Sequence, residues 1–459
     1  MQVTYLGHAG YSIATRNRHF LVDPTLTPTW QCGTVESSPR RALHLERLPR
    51  PDAVIITHQH PGHLELRTLA LLSRDTHVFY PDDPAIDLAV RELGFEARTV
   101  VEPGMEVAFD GGRLVITRSV ARGPLVGALV EEDDGSSCWI MDDQGAPLEE
   151  VAAVRAMAPR LGLLVCHYPA NSHHFFERFQ LEEHLADELR RSLDGALAAR
   201  PSLVAPNCCG FRYLGDAGWL NRYIFPMSPA RFLAELAALA PEQPSADLAP
   251  GDVVSIDGRG AAVRRQASPF VRALGPREGT LFDPTAALPP LADPNPERLS
   301  RRELERRTEA FFTGDLVAWL REGALCAGSR LELYHRIGLT SRVFVVYPEG
   351  PEESFLIRLG PGEPTVMRDA APPDEQAPAN VRIAASVLDR WRRAEMPFYW
   401  ARYHCRTFGA AYATGLLRSG RAEVKALGTV DLLSEHLRRP ELLHRWIRRE
   451  IASIREGRS

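Results

Sequence analysis

The stretch Ala53-Val54-Ile55-Ile56-Thr57-His58-Gln59-His60-Pro61-Gly62-His63-Leu64-Glu65 decides how this chain is read. Ala53 to Thr57 is a short, continuous apolar run, the pattern of a strand covered on both faces. His58 and His60 stand two apart beyond its end, so strand periodicity sends them to the same side. Pro61-Gly62 then turns the chain, and His63 returns at the start of Leu64 to Leu72, whose apolar spacing is helical. Neutral imidazole is the commonest metal ligand, and these three can converge on one point. The alternative for such a run is a polar turn with solvent-facing histidines.

Working outward, residues 1–26 read as a hairpin of strands turning at Thr15-Arg16-Asn17-Arg18, with Leu21-Val22 leading into Asp23-Pro24. Further strands are expected at 78–80, 106–109, 114–118, 126–131, 138–142 and 163–165, and helices at 87–93, 149–157 and 179–198. This alternation through residue 236 indicates an α/β domain. We expect that domain over 1–265, a Pro-rich linker or wrapping arm over 266–298, and a smaller α+β domain over 299–459. In the last, helical stretches are expected at 299–324, 382–394 and 429–456, and strands near 331–336, 342–347 and 354–358. The acidic, Pro-rich segment 369–378 reads as an exposed loop.

Composition narrows the function classes. The 459 residues are 44% hydrophobic and 25% charged, the balance of a globular protein. A net charge of −5 lacks the basic excess of a duplex-binding protein, so nucleic acid is not an expected partner. No apolar run approaches the roughly 18–20 residues that span a bilayer, and the N-terminus does not read as a signal peptide. The seven cysteines are scattered, with no CxxC pair, which fits reduced thiols in a cytoplasm. The excess of Arg over Lys, with abundant Ala, Pro and Gly, fits a GC-rich bacterial genome.

The order strand, Thr-His-x-His-x-x-His, helix resembles the signature of the metallo-β-lactamase superfamily. Tyr5 to Ile13 is similar to that superfamily's first hairpin, and Leu21-Val22-Asp23-Pro24 to its second-strand turn. Ile140-Met141-Asp142-Asp143 resembles the strand-end motif that supplies a bridging aspartate. The resemblance therefore implies a metallo-β-lactamase αββα sandwich followed by the α+β domain. It implies a metal site of His58, His60, His63 and Asp143, with Asp142 as the neighbouring alternative. His167, beyond the apolar strand 163–165, is a further candidate ligand; His173, His174 and the pair Cys208-Cys209 are weaker substitutes. Asp143 and Glu65 are the candidate catalytic carboxylates, although Glu65 is also explained by the dipole of the helix it begins.

The chain departs from the superfamily at three places. Gly62 stands where an aspartate is usual, and no histidine occurs in 114–125 or in 203–207, where the family carries one. A standard two-zinc hydrolase site is therefore incomplete. Residues 203–226, with Gly210-Phe211, Asn221 and Ile224-Phe225-Pro226, are similar to the CMP-N-acetylneuraminate hydroxylase-like branch, here without the two Cys-x-His pairs of a Rieske domain. That resemblance implies an iron-dependent oxygenase or hydroxylase, holding one or two ions, acting on a small metabolite with electrons from a separate partner. The alternatives are a zinc-dependent hydrolase of an ester, lactone or phosphodiester, and a protein that kept the fold with a degenerate site. The C-terminal domain is loosely similar to a sterol-carrier-like module and is expected to cover substrate or to dimerise.

Overall fold

The computed structural model describes residues 1–120, 123–141, 143–172, 182–207, 210–278, 282–324, 330–360, 362–369, 380–397, 403–408, 432–437 and 439–457. They fall into two units: Met1–Ser172, Glu182–Phe282 and Ile447–Ser459 in the first, and Asp283–Trp446 in the second.

Alternation of apolar side chains builds two sheets in the first unit. One orders its strands Gly260–Arg264, Val253–Asp257, Gln2–Gly7, Gly10–Ala14, His19–Val22, Ala53–Ile55, His77–Pro81 and Arg98–Val101. The other runs Glu106–Phe109, Gly112–Arg118, Val126–Glu132, Ser137–Ile140, Leu163–Cys166 and Leu203–Pro206. Val3, Ile13, Phe20, Val22 and Ile55 meet Ile116, Ala128, Val130, Ile140 and Val165 in one core between the sheets. The intervening residues of the second sheet, among them Val115, Leu129, Trp139 and Leu164, face helices Leu148–Met157, Glu182–Ala199 and Pro229–Leu239 through Val154, Ala196 and Phe232. Helices Leu66–Leu71 and Pro84–Leu93 belong with the first sheet, the latter against His77–Pro81. The central strands His19–Val22 and Ala53–Ile55 are buried along their whole length, as expected of strands covered on both faces, which explains the unbroken apolar run at Ala53–Ile55.

Parallel pairing sets where the site forms. His19–Val22, Ala53–Ile55 and His77–Pro81 run parallel, as do Ser137–Ile140, Leu163–Cys166 and Leu203–Pro206. The residues just beyond their carboxyl ends, including Asp23, His58, Asp143, His167 and Asn207, are where an open α/β sheet presents functional groups. Within the Pro-rich stretch, Val271–Ala273 pairs with Arg41–Leu43. Ile447 and Ile451, which belong to the first unit, are buried, and Glu450 between them accepts from Arg67 Nε at 2.9 Å.

The second unit has a five-stranded sheet ordered Thr365–Asp369, Glu353–Arg358, Thr340–Val346, Asn380–Ala384 and Cys405–Phe408. Its core joins Val343, Val345, Ile357 and Ile383 to Phe312, Leu316, Tyr334 and Trp391. Two expectations change here. Residues 331–336 lie in a helix, Arg330–Arg336, because Leu331 and Tyr334, three apart, are the buried pair; the alternation of Leu331 and Leu333 suggested a strand. The stretch 382–394 divides into strand Asn380–Ala384, with Val381 and Ile383 buried, and helix Ala385–Arg392. Among the described residues, no helix is long and apolar enough to cross a membrane.

Candidate metal centre

The site is assembled on Asp23 and Thr57, which leave neighbouring parallel strands side by side. Asp23 takes a left-handed backbone conformation (φ 43°), and its N–H donates to the Ile55 carbonyl at 3.0 Å. Its Oδ1 accepts from the Thr57 N–H at 2.8 Å, and its Oδ2 from the Thr57 hydroxyl at 2.6 Å. The same Oδ2 lies 2.6 Å from His63 Nδ1, and Thr57 Oγ1 lies 2.9 Å from His58 Nδ1. A carboxylate only accepts, so His63 Nδ1 carries a proton. The Thr57 hydroxyl spends its proton on Asp23 and accepts from His58 Nδ1–H. The network thus leaves Nε2 of both histidines with a lone pair, the tautomer a metal ligand needs.

His58 Nε2 lies 2.8 Å from His60 Nδ1, and each lies 3.4 Å from Asp143 Oδ2. Among the described residues, these three groups gather ligand atoms within 4.8 Å of one another. His58 is buried, whereas the His60 side chain is 46% exposed and marks the open side. Burial pushes the Asp143 carboxyl up, but His58 and His60 outweigh it and hold the group well below the usual carboxylate range. Its Oδ1 is buried with no protein partner. A half-buried carboxylate whose Oδ1 is buried and unmet, facing two imidazoles, fits a cation. The proton shared by the two facing ring nitrogens is one that a metal ion displaces on binding.

The other expected site residues are not among these three gathered groups. His63 lies against His58, ring centroids 3.9 Å apart, with its Nδ1 engaged by Asp23. Glu65 caps helix Leu66–Leu71, accepting from Arg67 N at 3.2 Å and Thr68 N at 2.6 Å, and burial pushes its carboxyl up. His167 pairs through Nε2 with Glu188 Oε1 at 2.9 Å, beside Gly145. Asp142, His173, His174, Cys208 and Cys209 lie outside the described residues.

Two residues at the site were not singled out by sequence reasoning. In the sequence Asp23 reads as a turn; its signal is a carboxylate directly after an apolar strand. His8 is the second. It stacks on Trp30 at 5.6 Å, meets Phe211 edge-on at 5.0 Å and lies 5.5 Å from the His63 ring. Burial above all, then His63, holds its imidazole neutral, well below its usual pKa. The turn that delivers it requires Gly7 (φ 110°), where a Cβ would meet Arg41 Nη1 at 2.7 Å and Ser37 Oγ at 2.8 Å.

Residues 2–146 match the family model described as a beta-lactamase superfamily domain, and the first unit has the metallo-β-lactamase fold. Among curated proteins, the chain is similar to one from Mycobacterium tuberculosis named for a Rieske 2Fe-2S iron-sulfur centre. The two are 28% identical over 153 residues, 31% of this chain and 30% of that protein. It is also similar to the cytidine monophosphate-N-acetylneuraminic acid hydroxylase of Xenopus laevis, 38% identical over 79 residues, 16% of this chain and 12% of that one. The matches therefore span less than a third of these relatives. Solved structures with similarity include an isothiocyanate hydrolase from Delia radicum gut bacteria (17% identity, TM-score 0.41, 56% of this chain and 100% of that one). Another is CmlA, a diiron beta-hydroxylase from Streptomyces venezuelae (17% identity, TM-score 0.40, 57% of this chain and 54% of that one).

Proposed function

We propose that the chain is a metal-dependent oxygenase that hydroxylates a small molecule, with iron held by His58, His60 and Asp143. The observation that carries this reading is the donor set itself: two imidazoles and one carboxylate converging within 4.8 Å. Two histidines and one carboxylate on one side of an ion, with the other positions open, is the ligand set of non-haem iron oxygenases. The names of the matched relatives, a hydroxylase and a Rieske-type protein, support the same direction.

Iron held by these three side chains would supply oxygen activation. The protein's own part is to fix those side chains. Asp23 and Thr57 hold the tautomers of His58 and His63, and Asp143 supplies the negative charge. Inserting one oxygen atom into a C–H bond consumes O₂, two electrons and two protons and yields an alcohol and water. The electrons come from a separate donor protein in this reading. A cavity of about 370 Å³, lined by Tyr168, Phe211, Tyr213, Phe225, Met227 and Arg277, shares Phe211 with the His8 contact. Its aromatic walls suit a small substrate with an apolar body, and the Arg277 guanidinium in its lining is paired with Asp247 Oδ1 at 3.0 Å.

A zinc-activated water on the same three ligands is the competing reading, since two histidines and a carboxylate also hold catalytic zinc. Nitric oxide, which occupies the oxygen position of open ferrous sites, separates the two. Anaerobic protein loaded with Fe(II) and exposed to nitric oxide should give a high-spin iron–nitrosyl signal by electron paramagnetic resonance, absent from His58→Ala and Asp143→Ala. No nitrosyl signal, together with zinc-dependent cleavage of an ester, lactone or phosphodiester, would overturn the oxygenase reading.

A further inference from the structure

The side chain that fills the space beside Gly62 is His8. A Cβ built on Gly62 would stand 2.7 Å from His8 Cδ2 and closer still to its Nε2, so any side chain at 62 would strike this ring. Gly62 has no left-handed backbone requirement of its own; the glycine is needed for room. His8 cannot easily yield that room. It is buried, stacked on Trp30 and edge-on to Phe211, on a left-handed backbone (φ 54°) whose carbonyl accepts from the Tyr5 hydroxyl at 3.1 Å. Gly62 lies between His60 and His63 in the ligand loop, and a side chain there would enter the space that His8 fills, 5.5 Å from the His63 ring.

We propose that His8 and Gly62 form a steric pair that closes this side of the centre and limits it to one metal ion. His8 occupies the place from which a residue at 62 could reach a second ion, and Gly62 itself offers no ligand atom. Only the His58, His60 and Asp143 corner then gathers three donors among the described residues. The pairing goes beyond the oxygenase reading, because it concerns ion number and holds for iron or zinc alike.

Two measurements test it. The first is the zinc or cobalt content of desalted protein after loading with the metal salt alone. One ion per chain is expected for the wild type and for His8→Ala, and two for His8→Ala/Gly62→Asp, where a carboxylate enters the vacated space beside His63. Two ions in the wild type, or a single ion in that double variant, would overturn the proposal. The second is a thermal double-mutant cycle with the smaller change Gly62→Ala. It should lower the melting temperature by several degrees when His8 is present and by clearly less in the His8→Ala variant. Additive effects would contradict the steric pairing. A wild type that binds no ion would sink the metal-centre reading, while the cycle would still decide the pairing.

Discussion

The Asp23 carboxylate and the Thr57 hydroxyl lie 2.6 Å apart at the ends of two parallel strands, and this one bond sets the protonation of the histidines around it. Because Thr57 donates to Asp23, it accepts from His58, and His58 turns its unprotonated Nε2 toward His60 and Asp143. Supporting carboxylates of this kind orient metal ligands and raise their basicity.

Asp23→Asn should therefore weaken metal binding by about 10–100-fold while the fold survives, since an amide offers a donor where two donors need an acceptor. Chelator competition measures this. Unchanged affinity in a folded variant would show that the Asp23–Thr57 bond does not govern the ligands.

The metal-free protein should lose stability in acid through Asp143. His58 and His60 hold its carboxyl below its unfolded value of about 3.9, despite burial. The stability this contributes is fully present above the unfolded pKa and lost as pH falls through the lower folded value. Asp143→Asn should flatten the acid limb of a stability–pH curve measured by denaturant unfolding. An acid limb of unchanged slope would contradict the assignment.

Glu65→Ala should cost about 1 kcal/mol of stability, the usual effect of removing a helix N-cap, with bound metal unchanged. Its oxygens are engaged by Arg67 N, Thr68 N and Thr27. Loss of metal or turnover from a variant of wild-type stability would instead give Glu65 a role at the centre.

How much of this was legible in the sequence depended on the range of each interaction. The approach of His58 and His60 to Asp143 follows from positions just past strand ends, which apolar runs reveal. Glu65 could be read either way, because the same residue that begins a helix can face a metal. His8 was opaque: its contacts with Gly62, His63 and Phe211 join residues far apart in the chain, and no local pattern encodes them. The absent aspartate at 62 was visible, but the reason for a glycine there was not. In the second unit, the alternation Leu331, Leu333 suggested a strand, whereas packing selected the three-residue spacing of Leu331 and Tyr334.

Residues 447–457 belong to the first unit although they close the chain, which length and composition do not reveal. Ile451 is 1% exposed there. Ile451→Ala should cost about 2–5 kcal/mol, read as a lower denaturation midpoint of the first unit. An effect below about 0.5 kcal/mol, the range of surface substitutions, would mean that this segment is not part of its core.

Metal analysis of protein purified from cells supplied with both iron and zinc decides whether His58, His60 and Asp143 hold iron. About one iron per chain is expected, with a near-ultraviolet charge-transfer band, and loss of both in Asp143→Ala. Stoichiometric zinc with no iron, in protein that hydrolyses an ester, lactone or phosphodiester, would contradict it.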